Sequence, residues 1–332
     1  MIWQRIRSRL DLYHRNVIGL NERNVRLVAE LNPRRLVRLA NDKSITKKLA
    51  SDAGIPTPKL VGLINNTLEI RNLEDMLDHP QGVAIKPANG AQGNGILVIT
   101  KKGEPTYRLS NGRRINYEDL RFHVANILSG MYSLSGRPDT VLIEERVRFS
   151  PIFDDISFRG VPDIRIIVLK GVPILAMLRL PTSESDGKAN LHKGGVGVGL
   201  NLDTGVSTFA MQHDRRIDCH PDSESALSGF QVPFWNEMLV MAARAFDVTG
   251  LGYLGVDIVV DDQKGPLLLE LNGRPGLAIQ IANRFGMRSH IDCVLQAETN
   301  DMNVDDRVQL GRAIYNDLQR GRGLTRQRIK QA

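Results

Sequence analysis

The sequence predicts a mixed α/β fold of the α+β kind. Apolar runs typical of strands dominate the chain after residue 140: TVLIEERV, DIRIIVLKG, VPILAMLRL, GYLGVDIVV and PLLLELN. Helix patterns lie between and before them, over 116–130 and 233–247 and in a segment that starts at Asn41 or Asp42. The 332 residues, 42% of them apolar, suffice for two or three subdomains with buried cores.

The formal charge of +7 is concentrated in the first fifty residues. Residues 1–40 predict a basic helical segment that places Trp3, Ile6 and Leu10 on one side. Two placements stay open for it, packing on the rest of the protein or contact with an anionic membrane surface. The basic residues have no interleaved aromatics or readout motif, so nucleic acid is not expected as a partner.

The beginning of the chain lacks the apolar core of a signal peptide, and no apolar run approaches membrane-spanning length. We therefore expect a cytoplasmic protein, with peripheral attachment to the inner membrane face as the open alternative. Cys219 and Cys293 lie far apart and without metal-ligand spacing, so neither a disulfide framework nor a zinc site is predicted.

The stretch VAIKPANGAQGNGILVIT places Lys86 inside an apolar strand, where a buried ammonium needs an anionic partner. Gly90, Gly93 and Gly95 allow the backbone to approach a ligand and to point N–H groups at phosphate oxygens. A strand follows these glycines, so the pattern is neither a P-loop nor GxGxxG before a helix. It predicts a hairpin flap over phosphate; a plain glycine hairpin is the alternative.

Two carboxylates and an amide in GYLGVDIVVDDQKGPLLLELNGRPG predict a metal site. A hairpin turn over 261–266 sets Asp257 directly across from Glu270, with Asn272 on the same face. Hard oxygen ligands without cysteine or histidine point to Mg²⁺, shared with substrate phosphates.

Three further features each have two interpretations. Glu144 and Glu145 end an apolar strand, where they either contact an adenine or are ordinary strand-end charges. Arg165 and Arg179 lie in facing strands and make an anion clamp only if the intervening turn puts them on one face. The loop SDGKANLHKGG, residues 185–195, either closes over phosphates or is a surface loop.

The segments IKPANGAQGNGI, LIEERV, DIR, ANLHKGGVG, GVDIV and LELNGRPG, in this order over about residues 41–296, resemble the ATP-grasp superfamily of carboxylate–amine ligases. The likeness is strongest to ribosomal-protein glutamate ligases and alpha-L-glutamate ligase-like proteins. It implies two α/β subdomains that clasp ATP, with the short basic segment in place of the α/β domain that usually comes first. The implied divisions are a basic N-terminal segment (1–40) and a subdomain with Lys86 and the glycine loop (41–140). They are followed by a subdomain with the metal site (141–300) and a C-terminal helix and tail (301–332).

The resemblance also implies site residues. Those that would hold ATP are Lys43, Lys86, Gly90, Gln92, Gly93, Gly95, Glu144, Glu145, the Val147 backbone, Asp163, Lys188 and Asn190, with Lys47 as the runner-up to Lys43. Arg179 would steady an acyl phosphate, with Lys86 and Arg165 as further catalytic residues. Asp257, Glu270 and Asn272 match metal ligands, for two Mg²⁺ or Mn²⁺ ions. Arg274, His192 and Lys193 are candidates for substrate contact.

The implied activity is an ATP-dependent ligase that forms an amide through an acyl phosphate and releases ADP. It would add glutamate or a related amino acid to a peptide, protein or small acceptor, and a homo-oligomer stays open. The alternative is a nucleotide-binding module at a membrane surface without ligase activity. The lysines and the three metal-ligand candidates favour the ligase.

Overall fold

Two antiparallel β-sheets, each packed against helices, organise the protein. The computed structural model describes residues 11–90, 93–103, 106–133 and 136–321. The strands are β1 Leu60–Ile64, β2 Val83–Pro87, β3 Leu97–Gly103, β4 Thr106–Leu109, β5 Arg114–Asn116, β6 Val141–Glu145, β7 Asp163–Leu169, β8 Val172–Leu180, β9 Val196–Leu200, β10 Ser207–Gln212, β11 Arg215–Ile217, β12 Tyr253–Asp261 and β13 Gly265–Asn272. The helices are α1 Leu20–Glu22, which continues as a π-helical segment Arg23–Ala29, α2 Arg34–Asn41, α3 Lys43–Asp52, α4 Leu73–Leu77, α5 Tyr117–Leu128, α6 Trp235–Thr249, α7 Ile279–Ala282, α8 Arg288–Gln296 and α9 Val304–Gln319. The predicted α/β class is confirmed.

The first sheet has the strand order β1-β6-β2-β3-β4-β5. Val83 and Ile85 of β2 belong to the core that the sheet shares with α5, whereas Lys86 does not. Successive side chains of a strand point to opposite faces, so the apolar positions of β2 face this core and Lys86 faces away from it. The Asn116 side chain begins α5 by accepting a hydrogen bond from the Asp119 amide at 2.7 Å.

The second sheet has the order β11-β10-β9-β8-β7-β12-β13. Helices α6 and α9 pack on its central strands β7 and β8. Strands β8 and β12 are buried almost throughout, which explains why their sequences are nearly continuous apolar runs.

The helices that precede β1 pack on the second sheet. Ile18 and Leu27 lie in its core, and α2 and α3 contact β13. The Asn32 side chain accepts a hydrogen bond from the Tyr253 amide and donates to the carbonyls of Tyr253 and Gly273. This side chain fixes the N-terminal helices beside the end of the β12–β13 hairpin.

Some predictions fall outside the described residues. These are the common helix side of Trp3, Ile6 and Leu10, the role of Gln92, and the tail after residue 321. Within the part of the chain that the structure describes, no helix is long and apolar enough to cross a membrane.

The chain passes from the first sheet to the second directly after β6. The Arg148 amide donates to Asp261 Oδ2 at 3.0 Å, and the Ser150 amide donates to the Val260 carbonyl at 3.0 Å. Close to this crossing, Lys264 Nζ lies 2.6 Å from Glu145 Oε2. These bonds hold the end of β6 against the end of β12.

Candidate active site

Lys47, Lys86 and Glu144 form a buried cluster on the face of the first sheet opposite its core. Lys86 Nζ lies 2.6 Å from Glu144 Oε2, and Lys47 Nζ lies 2.9 Å from Glu144 Oε1. Burial raises the pKa of Glu144, but the two ammonium groups outweigh it and hold that pKa below its usual range. Burial lowers the pKa of Lys47, against the attraction of Glu144. With two lysines and one carboxylate, this first-sheet cluster carries an excess positive charge.

The glycine-rich loop joins this cluster to the start of α3. The Lys43 amide donates to the Ala88 carbonyl at 3.0 Å, and Lys43 Nζ donates to the Gly90 carbonyl at 2.7 Å. Gly95 has φ +73°, and a Cβ there would lie 2.6 Å from the Tyr132 ring. Only glycine satisfies both constraints, so the loop backbone packs directly against the Tyr132 ring at this position.

Asp163, Arg165, Arg179 and Asp257 form a second cluster, on the second sheet. Asp163 pairs in register with Arg179, and Asp257 pairs with Arg165, so the two arginines share one face. Arg165 Nε and Nη2 donate to Asp257 at 2.7 and 2.6 Å. Arg179 Nη2 donates to Asp163 at 2.7 Å and to Asp257 at 2.8 Å. The register that the sequence left open thus puts both arginines in one site.

This second-sheet cluster is balanced in charge, with two arginines against two carboxylates. Burial raises the pKa of Asp163 to about 6, although Arg179 opposes the shift. Burial also raises the pKa of Asp257, but Arg165 and Arg179 outweigh it, so that pKa is lowered. Asp257 is therefore an ionised carboxylate held between two guanidinium groups.

Of the three predicted metal-ligand residues, Asp257 belongs to this cluster, and Glu270 and Asn272 lie beside it on β13. Asp257 pairs directly with Glu270, as predicted, and Asn272 follows two residues along β13. Glu270 Oε1 lies 3.4 Å from Lys43 Nζ, and 32% of the Glu270 side chain is exposed. No group of three or more histidine, cysteine, aspartate or glutamate side chains is placed to hold a metal anywhere in the described ranges. The metal role of these two carboxylates and one amide stays a prediction.

The 185–195 loop of the second sheet meets the glycine-rich loop of the first. Lys193 Nζ donates to Asn94 Oδ1 at 2.7 Å. A Cβ at Gly93 would lie 3.9 Å from the Lys188 side chain. Burial and the neighbouring Lys188 lower the pKa of Lys193. The loop therefore crosses the gap between the sheets and brings two lysines to it.

Other predicted residues lie apart from these contacts. The Glu145 side chain pairs with Lys264. His192 and Arg274 are exposed, and the Arg274 amide donates to Asn272 Oδ1 at 2.9 Å. The roles predicted for these three side chains stay predictions.

Sequence reasoning did not find three of the partners that the structure shows. These are Lys264 for Glu145, Asn94 for Lys193 and Lys47 for Glu144. Lys264 and Asn94 each bond to a residue more than ninety positions away in the chain. No local pattern marks such partners, because they depend on how the two sheets dock.

Lys43 connects the two sides of the site, since its ammonium lies between the Gly90 carbonyl and Glu270. One side thus offers lysines and backbone, and the other offers carboxylates and arginines. This arrangement suits a polyanion that arrives with a divalent cation, because the lysines complement the anion and the exposed carboxylate complements the cation.

A model of the sugar-transfer associated ATP-grasp family matches residues 22–296. The chain belongs to this family. The predicted resemblance to ATP-grasp proteins is confirmed, and the matched region includes helices α2 and α3, which pack on the second sheet. ATP-grasp ligases use ATP and Mg²⁺, which supports the predicted nucleotide and metal at the level of the family.

Curated relatives share about a quarter of their residues with the chain. A cyanophycin synthetase from Crocosphaera subtropica is 26% identical over 283 residues, which cover 77% of this chain and 30% of that protein. A probable alpha-L-glutamate ligase from Xanthomonas oryzae pv. oryzae is 27% identical over 246 residues, which cover 74% of this chain and 61% of that protein. The chain therefore spans less than two thirds of the length of either relative.

Among solved structures, phosphoribosylamine–glycine ligase from Thermotoga maritima is similar, with a TM-score of 0.50 at 17% identity. The similarity covers 84% of this chain and 59% of that protein. It supports the ATP-grasp fold that the sequence predicts.

Proposed function

We propose that the protein is an ADP-forming, ATP-dependent ligase that joins a carboxylate to the amine of an amino acid. The observation that carries the proposal is the position of Lys43, which contacts both the glycine-rich loop next to the first cluster and Glu270 next to the second. Membership of the ATP-grasp family supports the same activity.

The first sheet would hold the nucleotide. Lys43, Lys86 and the N–H groups of the glycine-rich loop are the proposed phosphate ligands, and Lys47 is the proposed counter-charge for Glu144. The further nucleotide contacts that we propose are Glu144, Glu145, the Val147 backbone, Asp163, Lys188 and Asn190. The 185–195 loop would exclude water, because Lys193 already bonds to Asn94 across the gap.

Asp257, Glu270 and Asn272 would hold Mg²⁺, and their donor set of carboxylate and amide oxygens fits a hard cation. Glu270 and Asn272 are only partly buried. Glu270 Oε1 lies 3.4 Å from Lys43 Nζ, and Asn272 Oδ1 accepts a hydrogen bond from the Arg274 amide, so a bound ion would share or replace these contacts. Glu270 lies across from Asp257 and two residues from Asn272, so the three side chains together would hold the one or two ions that we propose. Bound Mg²⁺ supplies charge neutralisation for the phosphates.

In the proposed reaction, an oxygen of the substrate carboxylate attacks the γ-phosphorus of ATP, and the bond to the β,γ-bridging oxygen breaks to release ADP. The amine nitrogen then attacks the acyl carbon, phosphate leaves with its oxygen, and the nitrogen loses a proton. Arg179 and Arg165 would stabilise the charge on the transferred group, and Lys86 would stabilise the leaving phosphate. Fixed charges of this kind lower the barrier without reorganisation.

Glutamate or a related amino acid is the proposed amine substrate, and a peptide, protein or small molecule is the proposed acceptor. The names of the relatives, an alpha-L-glutamate ligase and a cyanophycin synthetase, support an amino-acid substrate. The need for ATP favours action in the cytoplasm.

The test is ADP release by the full chain with MgATP, measured across the proteinogenic amino acids and a set of glutamyl peptides. We expect release that depends on one substrate pair and that falls below detection in Glu270→Ala. Asp262→Asn, which changes an exposed acid on the same hairpin, is the matched control and should keep full activity. ADP release that no added substrate changes, or that Glu270→Ala retains, would contradict the ligase. Tight MgATP binding without any release would favour a nucleotide-binding module.

A further inference from the structure

Arg23 is a buried cation that no carboxylate neutralises within the described ranges. Its exposed fraction is 8%, and it begins the π-helical segment Arg23–Ala29. Its guanidinium donates to the Pro275 carbonyl at 3.1 Å and to Asn24 Oδ1 at 2.8 and 3.2 Å. Burying an unpaired charge is costly. π-Helical turns are rare in proteins, and those that occur are often at functional sites.

The register of β12 places Arg23 on the active-site face of the second sheet. Tyr253, Gly255 and Asp257 alternate along one face of this strand. A Cβ at Gly255 would lie 2.8 Å from the Pro275 ring, so Pro275 covers this face between Tyr253 and Asp257. Arg23 bonds to the Pro275 carbonyl and therefore lies next to the same face.

The Tyr253 hydroxyl provides an independent sign of a ligand. It is buried and has no hydrogen-bond partner among the described residues. The hydroxyl lies within electrostatic reach of both Arg23 and Arg165. Burial raises the pKa of Tyr253 well above its ordinary value, so the hydroxyl keeps its proton and can donate. A buried donor without an acceptor requires an explanation, and an anion beside two arginines supplies it.

Two more arginines lie near this point. Arg274 lies close enough to Arg23 for their charges to repel. Arg165 uses Nε and Nη2 on Asp257, which leaves Nη1 for another acceptor. Arg165 is already balanced by Asp257, so Arg23 and Arg274 are the surplus cations beside the Tyr253 hydroxyl. Such a surplus of guanidinium charge is the arrangement expected around a bound carboxylate.

We propose that Arg23, Tyr253 and Arg274 bind a substrate carboxylate that is recognised but not activated. Tyr253 lies four residues from Asp257 along β12, roughly 13 Å at the rise of a strand, so the centre of this subsite is displaced from Asp257. On its other side the subsite borders Asn272, whose Oδ1 accepts a hydrogen bond from the Arg274 amide. The N-terminal helices then complete the substrate site by supplying Arg23. The inference rests on the proposed ligase function, and it assigns this subsite to the side-chain carboxylate of a dicarboxylic amino acid that supplies the amine.

The test is calorimetric titration of the full chain, loaded with Mg²⁺ and adenosine 5′-(β,γ-imido)triphosphate so that no turnover occurs. The probes are L-glutamate, L-aspartate and glutarate, with L-glutamine as the amide counterpart and inorganic phosphate as the competing anion. The variants are Arg23→Gln, Arg23→Lys and Tyr253→Phe. Arg26→Gln is the matched control, because Arg26 lies on the same segment but pairs with Glu22 and Asp292.

We expect a dicarboxylate to bind at least tenfold tighter than L-glutamine. Arg23→Gln should weaken it at least tenfold, with a smaller loss in Arg23→Lys and in Tyr253→Phe. Arg26→Gln should match the wild type, and every variant should bind the nucleotide within twofold of it. Tyr253→Phe removes only an unpaired hydroxyl, so it should fold normally even if Arg23→Gln does not.

The proposal is overturned if none of the three dicarboxylates binds, or if Tyr253→Phe and every folded Arg23 variant bind them as the wild type does. Arg23-dependent binding of phosphate alone would also overturn it. Its failure is distinguishable from that of the ligase. Arg23-dependent dicarboxylate binding without ADP formation would support the subsite and contradict the ligase. ADP formation together with dicarboxylate binding that does not depend on Arg23 would support the ligase and contradict the subsite.

Discussion

The two charged clusters of the candidate active site are built from similar groups but differ in their balance of charge. The first-sheet cluster places two lysines around one carboxylate, and the second-sheet cluster places two arginines against two carboxylates. An excess of positive charge is compensated when an anion binds, whereas a balanced cluster is complete within the protein. On the proposed function, the first cluster would therefore bind the anionic ligand, and the second would also stabilise the fold.

Asp257→Asn should have the largest effect, because it leaves two buried arginines without their shared carboxylate. We expect a loss of about 3–5 kcal/mol in the free energy of unfolding. We also expect at least a roughly 100-fold loss in the rate of ADP formation. Denaturant titration and steady-state kinetics measure the two effects. If Asp257→Asn were as stable as the wild type, the second cluster would not support the fold.

Lys86→Met should instead spare the fold and weaken nucleotide binding. The remaining Lys47–Glu144 pair is balanced, so the stability should change little. Removal of one charge-assisted contact should weaken MgATP binding roughly 10- to 100-fold. Calorimetry checks this, with Lys48→Met, on the exposed side of α3, as the control. Unchanged affinity in Lys86→Met would remove the main distinction between the clusters.

His290 offers a pH test outside both clusters. It is fully buried beside Phe285 and Tyr315, and burial lowers its pKa from 6.5 to about 4. The unfolded chain binds this proton near pH 6.5 and the folded chain only near pH 4. The folded state with a neutral His290 is therefore fully favoured above pH 6.5, and this contribution to the free energy of unfolding is lost as the pH falls towards 4.

Between pH 8 and pH 5, His290 should account for a loss of about 2 kcal/mol in the free energy of unfolding. The measurement is the difference between the wild type and His290→Leu, which removes this titration and leaves the carboxylates in place. Parallel pH profiles for the two proteins would show that His290 is not buried as described.

Lys193→Ala should have the smallest effect, because its bond to Asn94 is exposed. We expect a loss of about 1 kcal/mol, or roughly fivefold in kcat/KM for ATP. Asn94→Ala should cause the same loss, and the double variant should lose no more. Additive losses would show that the two loops do not act together.

The sequence allowed the hairpin geometry to be predicted but not the docking of the sheets. The position of the hairpin turn led to the prediction that Glu270 pairs with Asp257, and alternation then placed Asn272 on the same face. The pairing is confirmed, but the ladder reaches it through a register shift between Asp257 and Ile258 that no local pattern marks. The Arg165–Arg179 register depended on one residue in a turn, which no local pattern decides. The partners of Glu144 and Glu145, and the position of Arg23, depend on contacts between distant segments. Those contacts follow from tertiary packing, which a local pattern does not encode.

The most direct test of the central claim is the transfer of oxygen from the substrate carboxylate to phosphate. With the substrate pair identified by ADP release, the carboxylate is labelled with ¹⁸O and the released phosphate is analysed by mass spectrometry. The proposed acyl phosphate predicts one ¹⁸O atom in the phosphate for each amide formed. Phosphate without the label, released together with the amide, would contradict it.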